Sequence, residues 1–266
     1  MKIIDVHTHS FPDFLAEKAM AQLMKTVDTE YKAFHKGTLK DQLRSMDEAG
    51  IRQCVVQSIA TRPEQAENIL KWSLEIKSDR VEPYISIHPD NTRYDDILKR
   101  AKDHDIRGIK LHPHYQGVNA DDDAMFRHYE IFCKYNFIVF FHSGEDLAFP
   151  GCDNASTKRM KKVILKFPEM KVILAHYGAY REWEEVYREL AGLNVYFETS
   201  FILEEAGEEM FLKILKKHSA DRVMFGTDSP WTGQRNAVQL MNKCSIPEEV
   251  REKIYHRNYE DLRERG

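Results

Sequence analysis

Short apolar runs return along this chain at intervals too long for hairpins and right for a strand, a helix and two connections. Candidate strands begin near Ile3, Ile51, Val81, Ile106, Phe137, Lys171, Leu193 and Arg222, separated by 48, 30, 25, 31, 34, 22 and 29 residues. Antiparallel neighbours can be joined by a tight turn, whereas parallel neighbours need a longer crossover, usually helical, so the spacing predicts a β/α series. Phe137–Phe141 and Val172–Ala175 are almost unbroken in apolar residues, the pattern of strands covered on both faces. Between the strands, Thr38 stands where it can cap a helix that starts at Leu39, carries Leu39, Leu43 and Met46 on one face and stops at Gly50. Asp121 precedes a second stretch, striped by Phe126, Tyr129, Ile131 and Phe132, and Pro247, Glu248 and Glu249 open a last helix running to Leu262. The segment Ser10–Gly37 is the least regular and is expected to fold partly over one end.

No linker, repeat or compositional break divides the chain, so residues 1–266 read as one domain. Eight strand–helix units in about 250 residues is the size of a closed (β/α)8 TIM barrel, an α/β fold. The competing doubly wound open sheet would gain support from a G-x-G-x-x-G or G-x-x-x-x-G-K-[ST] loop, and neither is present.

Composition narrows the function classes. With 39 basic and 43 acidic side chains the formal charge is −4, which offers no clustered basic excess for nucleic acid. No stretch approaches the roughly 18 uninterrupted apolar residues of a membrane span. Asp5 and His7 fall where a signal peptide would have its apolar segment, so a cytoplasmic protein is expected. Cys54, Cys133, Cys152 and Cys244 are widely spaced without a C-x-x-C pair, and Cys54 in an apolar run reads as a buried thiol rather than half of a disulfide.

Twelve histidines make one H-x-H pair by chance unsurprising, and this chain has two, His7-Thr8-His9 and His112-Pro113-His114. Position raises the first. Alternate residues of a strand point the same way, so His7 and His9 would both face into the barrel at the end of its first strand, where two imidazoles can chelate one metal. His88, His112, His142 and His176 also follow predicted strands, and Asp228 follows the eighth. In a barrel the carboxyl ends of the strands converge on one face, so these residues can meet although far apart in sequence. Each alone has a plain structural explanation, since a strand-end His often bonds a loop carbonyl and Asp before Ser-Pro often caps a turn.

The segments Asp5-Val6-His7-Thr8-His9, Gly108-Ile109-Lys110-Leu111-His112-Pro113, Phe141-His142-Ser143-Gly144, Leu174-Ala175-His176-Tyr177-Gly178 and Phe225-Gly226-Thr227-Asp228-Ser229-Pro230 resemble, in order, the motifs of the amidohydrolase superfamily. The nearest branch is the amidohydrolase-related family of metal-dependent hydrolases, to which aminocarboxymuconate-semialdehyde decarboxylase also belongs. The resemblance spans the chain from first strand to eighth and does not specify a substrate. It implies that His7, His9, His142 and Asp228 ligate one divalent metal, most often zinc, and that His176 assists catalysis. A metal so held brings its bound water toward a pKa of about 7, with Asp228 able to take the proton. Lys110 has two readings by resemblance: a carboxylated lysine bridging a second metal, which would take His142 and His176, or a cation facing substrate, the reading a one-metal branch favours.

The loops after the strands should read a small-molecule substrate. His112 and Trp231 are candidate contacts; Arg62, Arg181 and Arg235 could each hold a carboxylate or phosphate by two hydrogen bonds; Tyr115, Phe149, Tyr177 and Tyr180 could line a pocket for a flat ligand. The expected activity is hydrolysis of an ester, lactone, amide or related bond, with non-oxidative decarboxylation or hydration of a small unsaturated or aromatic acid as the alternative. Metal-dependent deoxyribonucleases share the H-x-H start but carry Glu where this chain has Lys110, and a barrel that only binds would not need His176 beside Asp228. Neither nucleic acid nor membrane is expected as a partner, and a homodimer is left open.

Overall fold

The structure is a computed structural model and describes residues 1–26 and 32–265. Its eight strands are β1 (Ile4–Thr8), β2 (Gln53–Gln57), β3 (Val81–Tyr84), β4 (Gly108–Leu111), β5 (Ile138–Phe141), β6 (Lys171–Leu174), β7 (Tyr196–Glu198) and β8 (Val223–Met224). Each begins within three residues of its expected start. All pair in parallel, in two arcs ordered β1-β2-β3 and β4-β5-β6-β7-β8. Backbone hydrogen bonds join the arcs at both seams: Lys110 N donates to Ile85 O at 2.7 Å, and Val6 N donates to Phe225 O at 2.9 Å. The sheet is therefore a closed TIM barrel.

The strands are covered on both faces, and alternation sorts most of their apolar side chains into two shells. Val139 and Phe141 of β5, with Val172 and Leu174 of β6, pack outward among the helices; Ile138, Phe140 and Ile173 fill the inside with Ile4, Val55, Tyr196 and Met224. At the floor, Tyr84 occupies the space that β4 leaves by having Gly108, where an added Cβ would lie 2.2 Å from the Tyr84 ring. Tyr259 and Leu262 of the last helix plug the barrel from below, with the Tyr84 and Tyr259 hydroxyls 3.2 Å apart.

The expected helices form, with instructive departures. The Leu39–Ala49 helix is capped as expected: Asp41 N donates to Thr38 Oγ1 at 3.1 Å, and Gly50 ends it at φ 73°. The helix after Asp121 runs Asp123–Lys134, and Asp121 is occupied by Lys162 at 2.7 Å and by Arg159. The single helix expected from Pro247 is interrupted by a widened π turn over Lys253–Arg257, flanked by Glu248–Glu252 and Asn258–Glu264. The cause is visible: Phe225 N donates to the Ile254 carbonyl at 2.8 Å, so Asn258 N reaches back to Lys253 instead. Ser10–Gly37 contains a helix, Asp13–Thr26, and folds over the C-terminal mouth, where Phe34 N donates to Pro230 O at 2.8 Å and His35 Nε2 lies 3.0 Å from Ser229 Oγ. Residues 27–31 of that segment lie outside the described residues. All four cysteines are free thiols, and Cys54 is fully buried.

Two expectations follow. Gly108→Ala forces a methyl group into the Tyr84 ring and should destabilise the fold by about 1–3 kcal/mol, the range for overpacking a dense core; thermal denaturation reads this, and shrinking the ring with Tyr84→Leu should recover part of it. His218 is buried, stacked 3.9 Å from Phe197, and burial pushes its pKa down to about 4. Because the folded value lies below the ordinary 6.5, His218 stabilises the fold fully above pH 6.5 and loses that contribution as pH falls toward 4. The loss is about 3 kcal/mol, and urea unfolding at both ends of this window should show a shallower acid decline in His218→Phe than in the parent.

Candidate active site

The carboxyl ends of the strands form the floor of an open cleft of about 1670 Å³ at the barrel mouth. His7 lies on β1 with His9 just past its end, Lys110 lies on β4 with His112 just past its end, and beyond β5, β6 and β8 stand His142, His176 and Asp228. The register between β1 and β2 slips between Asp5 and Thr8, an irregularity of the kind that re-aims side chains at barrel rims. His176 (φ 56°) and Asp228 (φ 59°) are left-handed, so the chain turns sharply at both residues; non-glycine residues are held there only by their surroundings. Asp228 N donates to His7 O at 2.7 Å, and Asp5 locks the same corner by accepting from Thr227 Oγ1 at 2.6 Å and Gln234 Nε2 at 2.7 Å. Burial pushes the Asp5 carboxyl up to about 6 against those hydrogen bonds.

His7 Nε2, His9 Nε2 and Asp228 Oδ1 form a triangle with sides of 3.2, 3.0 and 3.2 Å. His9 Nδ1 faces the Gln57 carbonyl at 2.9 Å and His7 Nδ1 faces the Glu198 carboxylate at 3.0 Å. Both partners accept, so both rings carry their proton on Nδ1 and turn an Nε2 lone pair toward Asp228. Asp228 Oδ1 is itself buried without a hydrogen-bond donor. Three acceptors converging on one point is an arrangement suited to a divalent cation, and the outer partners fix the tautomer that ligation requires. Burial also holds His7, His142 and His176 well below the ordinary imidazole pKa, so all three are neutral near pH 7.

Lys110 is buried, its Nζ 3.3 Å from His7 Nε2 and 4.4 Å from the centre of the Phe140 ring. Burial lowers its pKa to about 8, with Asp228 and Glu198 pulling the other way. His142 stands outside the triangle: its Nδ1 lies 3.1 Å from His176 Nε2, and its ring stacks on His112 at 4.1 Å. His112, His142 and Asp146 make a second group with donor atoms close together, His112 Nε2 being 3.2 Å from Asp146 Oδ2. His176 and Glu198 join His7 in a third such group.

Of the expected substrate contacts, His112, Arg62, Tyr115, Tyr180 and Trp231 line the cleft, Arg62 at an exposed position beside Glu64. Arg181 does not line it: its Nε pairs with Glu205 at 3.5 Å and its guanidinium stacks on Tyr180. Arg235 is exposed on the Gln234–Lys243 helix and also lies off the cleft wall. Tyr177 is core, its ring packed on Phe211 and its hydroxyl donating to the Phe211 carbonyl at 3.2 Å. Phe149 backs Tyr115 edge-on. His88 accepts from Asp90 N and His114 lies 3.3 Å from the Cys152 carbonyl, the plain structural roles open to both. The sequence reading passed over Glu198 and Asp146. Glu198 has a signal, a carboxylate closing the apolar strand Tyr196-Phe197-Glu198 at an inward position; Asp146 has none, being one acid in a loop.

Residues 4–262 match the Amidohydrolase family. No curated protein matches the chain by sequence. Among solved structures, an uncharacterised TIM-barrel protein from Bordetella bronchiseptica is 20% identical, with a TM-score of 0.78 over 98% of each chain. A 5-carboxyvanillate decarboxylase from Novosphingobium aromaticivorans, complexed with manganese and 4-hydroxy-3-methoxy-5-nitrobenzoic acid, is 14% identical, with a TM-score of 0.75 over 99% of this chain and 96% of that one. A probable 2-pyrone-4,6-dicarboxylic acid hydrolase from Acinetobacter baumannii is 14% identical, with a TM-score of 0.70 over 99% and 100%. At these identities the likeness is one of fold, while the sequence match from first strand to last carries the assignment: the chain belongs to the Amidohydrolase family.

Proposed function

We propose that this protein is a metal-dependent hydrolase that cleaves an ester, lactone, amide or related bond of a small carboxylate-bearing substrate. The observation that carries this reading is the convergence of two Nε2 lone pairs and the undonated Asp228 Oδ1 beside a buried lysine, at the floor of a cleft. A divalent cation held by His7, His9 and Asp228 would supply Lewis-acid activation of water and of a substrate oxygen. Zinc is the ion we assign; the donor set of imidazole and carboxylate also suits manganese, the ion in three neighbouring structures.

The residues divide the remaining work. Asp228, which would hold the cation through Oδ1, offers its other carboxylate oxygen to the proton that water loses on attack. His176 lines the cleft with its Nε2 3.1 Å from His142 Nδ1, and the paired rings orient the electrophile. Lys110, still largely cationic at pH 7, faces negative charge on the substrate or the charge that develops on its carbonyl oxygen. Arg62, His112 and Trp231 hold the remainder of the substrate along the wall. A small molecule is the partner this cleft suits, and the charge of −4 favours no nucleic acid. Among the described residues no helix is long and apolar enough to cross a membrane.

A second reading, non-oxidative decarboxylation at the same site, is favoured by the likeness to the 5-carboxyvanillate decarboxylase. Product analysis separates the two. Lactones and esters of small acids should be opened without release of carbon dioxide; carbon dioxide from an aromatic acid, with no hydrolysis, would replace the first reading by the second.

Metal content should be about one equivalent per chain in protein purified without chelator. His7→Ala and Asp228→Asn should lose the metal; His176→Ala should keep it while activity falls by about 10²–10⁴. Two equivalents would instead place Lys110 and His176 in a binuclear centre, and no metal after reconstitution would sink the reading.

A further inference from the structure

Glu198 is fully buried at the end of β7 and receives four hydrogen bonds. Its Oε1 accepts from His7 Nδ1 at 3.0 Å, from His176 N at 2.7 Å and from Ser200 Oγ at 2.6 Å; its Oε2 accepts from Ser200 N at 2.8 Å. Burial pushes this carboxyl up to about 7 against those hydrogen bonds; once ionised it offers about four acceptor sites, and the four donors fill them. The Ser200 hydroxyl has one proton and gives it to Glu198. Toward His176 Nδ1, 2.8 Å away, Ser200 can therefore only accept, and that nitrogen must be the protonated one.

We propose that Glu198, acting directly on His7 and through Ser200 on His176, is the positioning residue that sets both imidazoles in the tautomer with Nε2 unprotonated. One buried carboxylate thereby couples the lone pair that His7 turns toward the cation site to the lone pair that His176 turns toward His142 Nδ1, 3.1 Å away, against the pull of the Glu145 carbonyl, 3.1 Å from His142 Nε2, on the single His142 proton. The structure reserves the space for it. Gly226 on the neighbouring strand end has no side chain, and a Cβ there would lie 2.1 Å from Glu198 Oε2. Gly226 N and O both contact Thr199 Oγ1, which fixes that approach. The inference rests on the hydrolase reading for its consequence in catalysis, but the tautomers are a property of the resting protein.

The test is imidazole nitrogen NMR on protein with isotope-labelled histidine and no substrate, the two rings assigned by loss of signal in His7→Gln and His176→Gln. Both rings should be protonated on Nδ1 in the parent. Ser200→Ala should release the His176 ring into a mixture of tautomers, leave His7 and zinc affinity unchanged, and lower kcat with little change in KM. Ser200→Thr, which keeps the hydroxyl, should restore the parent pattern. Glu198→Gln should disturb both rings and weaken zinc binding about 10–100-fold, the usual effect of losing an outer partner of a ligand. Gly226→Ala, which displaces Glu198 without removing it, should reproduce that result. Unchanged tautomers in folded Ser200→Ala and Gly226→Ala would overturn the proposal even if the protein proves to be a hydrolase. Should Glu198→Gln fail to fold, these two variants decide. The predicted tautomer changes without any hydrolytic activity would uphold the proposal and remove the hydrolase reading alone.

Discussion

The hydrogen bonds from Asp228 N to His7 O at 2.7 Å and from Val6 N to Phe225 O at 2.9 Å close the barrel, and the candidate site depends on that closure. His7 and Asp228 lie near opposite ends of the chain, and only the seam between β8 and β1 places their side chains 3.2 Å apart. Asp5 reinforces the seam from the outer side of β1 through Thr227 and Gln234. A closed ring also removes sheet edges, so each short strand has a neighbour on either side although β8 is only two residues long.

Closure carries an electrostatic consequence. The mouth buries Asp5, Glu198, Asp228, Lys110 and the histidines His7, His9, His112, His142 and His176, groups that are costly to remove from water unless they are paired. Most are paired: Glu198 by four donors, His9 by the Gln57 carbonyl, His176 by Ser200. Asp228 Oδ1 is left without a donor, and both Asp228 and His176 sit in left-handed backbone. Among the carboxylates of the mouth, an undonated buried oxygen flanked by His7 and His9 marks a place that serves chemistry rather than stability.

Much of this was legible in the chain. The strand–helix period set the class of fold, the cap at Thr38 and stop at Gly50 set one helix to the residue, and strand-end position picked out His7, His9, His88, His112, His142, His176 and Asp228, to which the family resemblance added Lys110. The misjudged features share a cause. The π turn in the last helix arises because Phe225 takes the Ile254 carbonyl, a contact between segments that local pattern does not relate. Tyr177 follows His176 directly yet turns into the core, because two successive left-handed residues send it away from the cleft. Arg181, also left-handed, is drawn to Glu205 and the Tyr180 face.

The amino-acid sequence by itself determined the eightfold alternation and the kinds of donor atom available, because these follow from the spacing of the apolar runs and from side-chain chemistry. The tertiary structure alone decided which donors meet. It drew His7, His9 and Asp228 into one triangle, set His142 beside His112 and Asp146, and made Glu198 the shared partner of two histidines. Distances between strand ends are fixed by ring closure, the slipped register of β1 and the sharp turns at His176 and Asp228, each of which depends on contacts between residues remote in the chain.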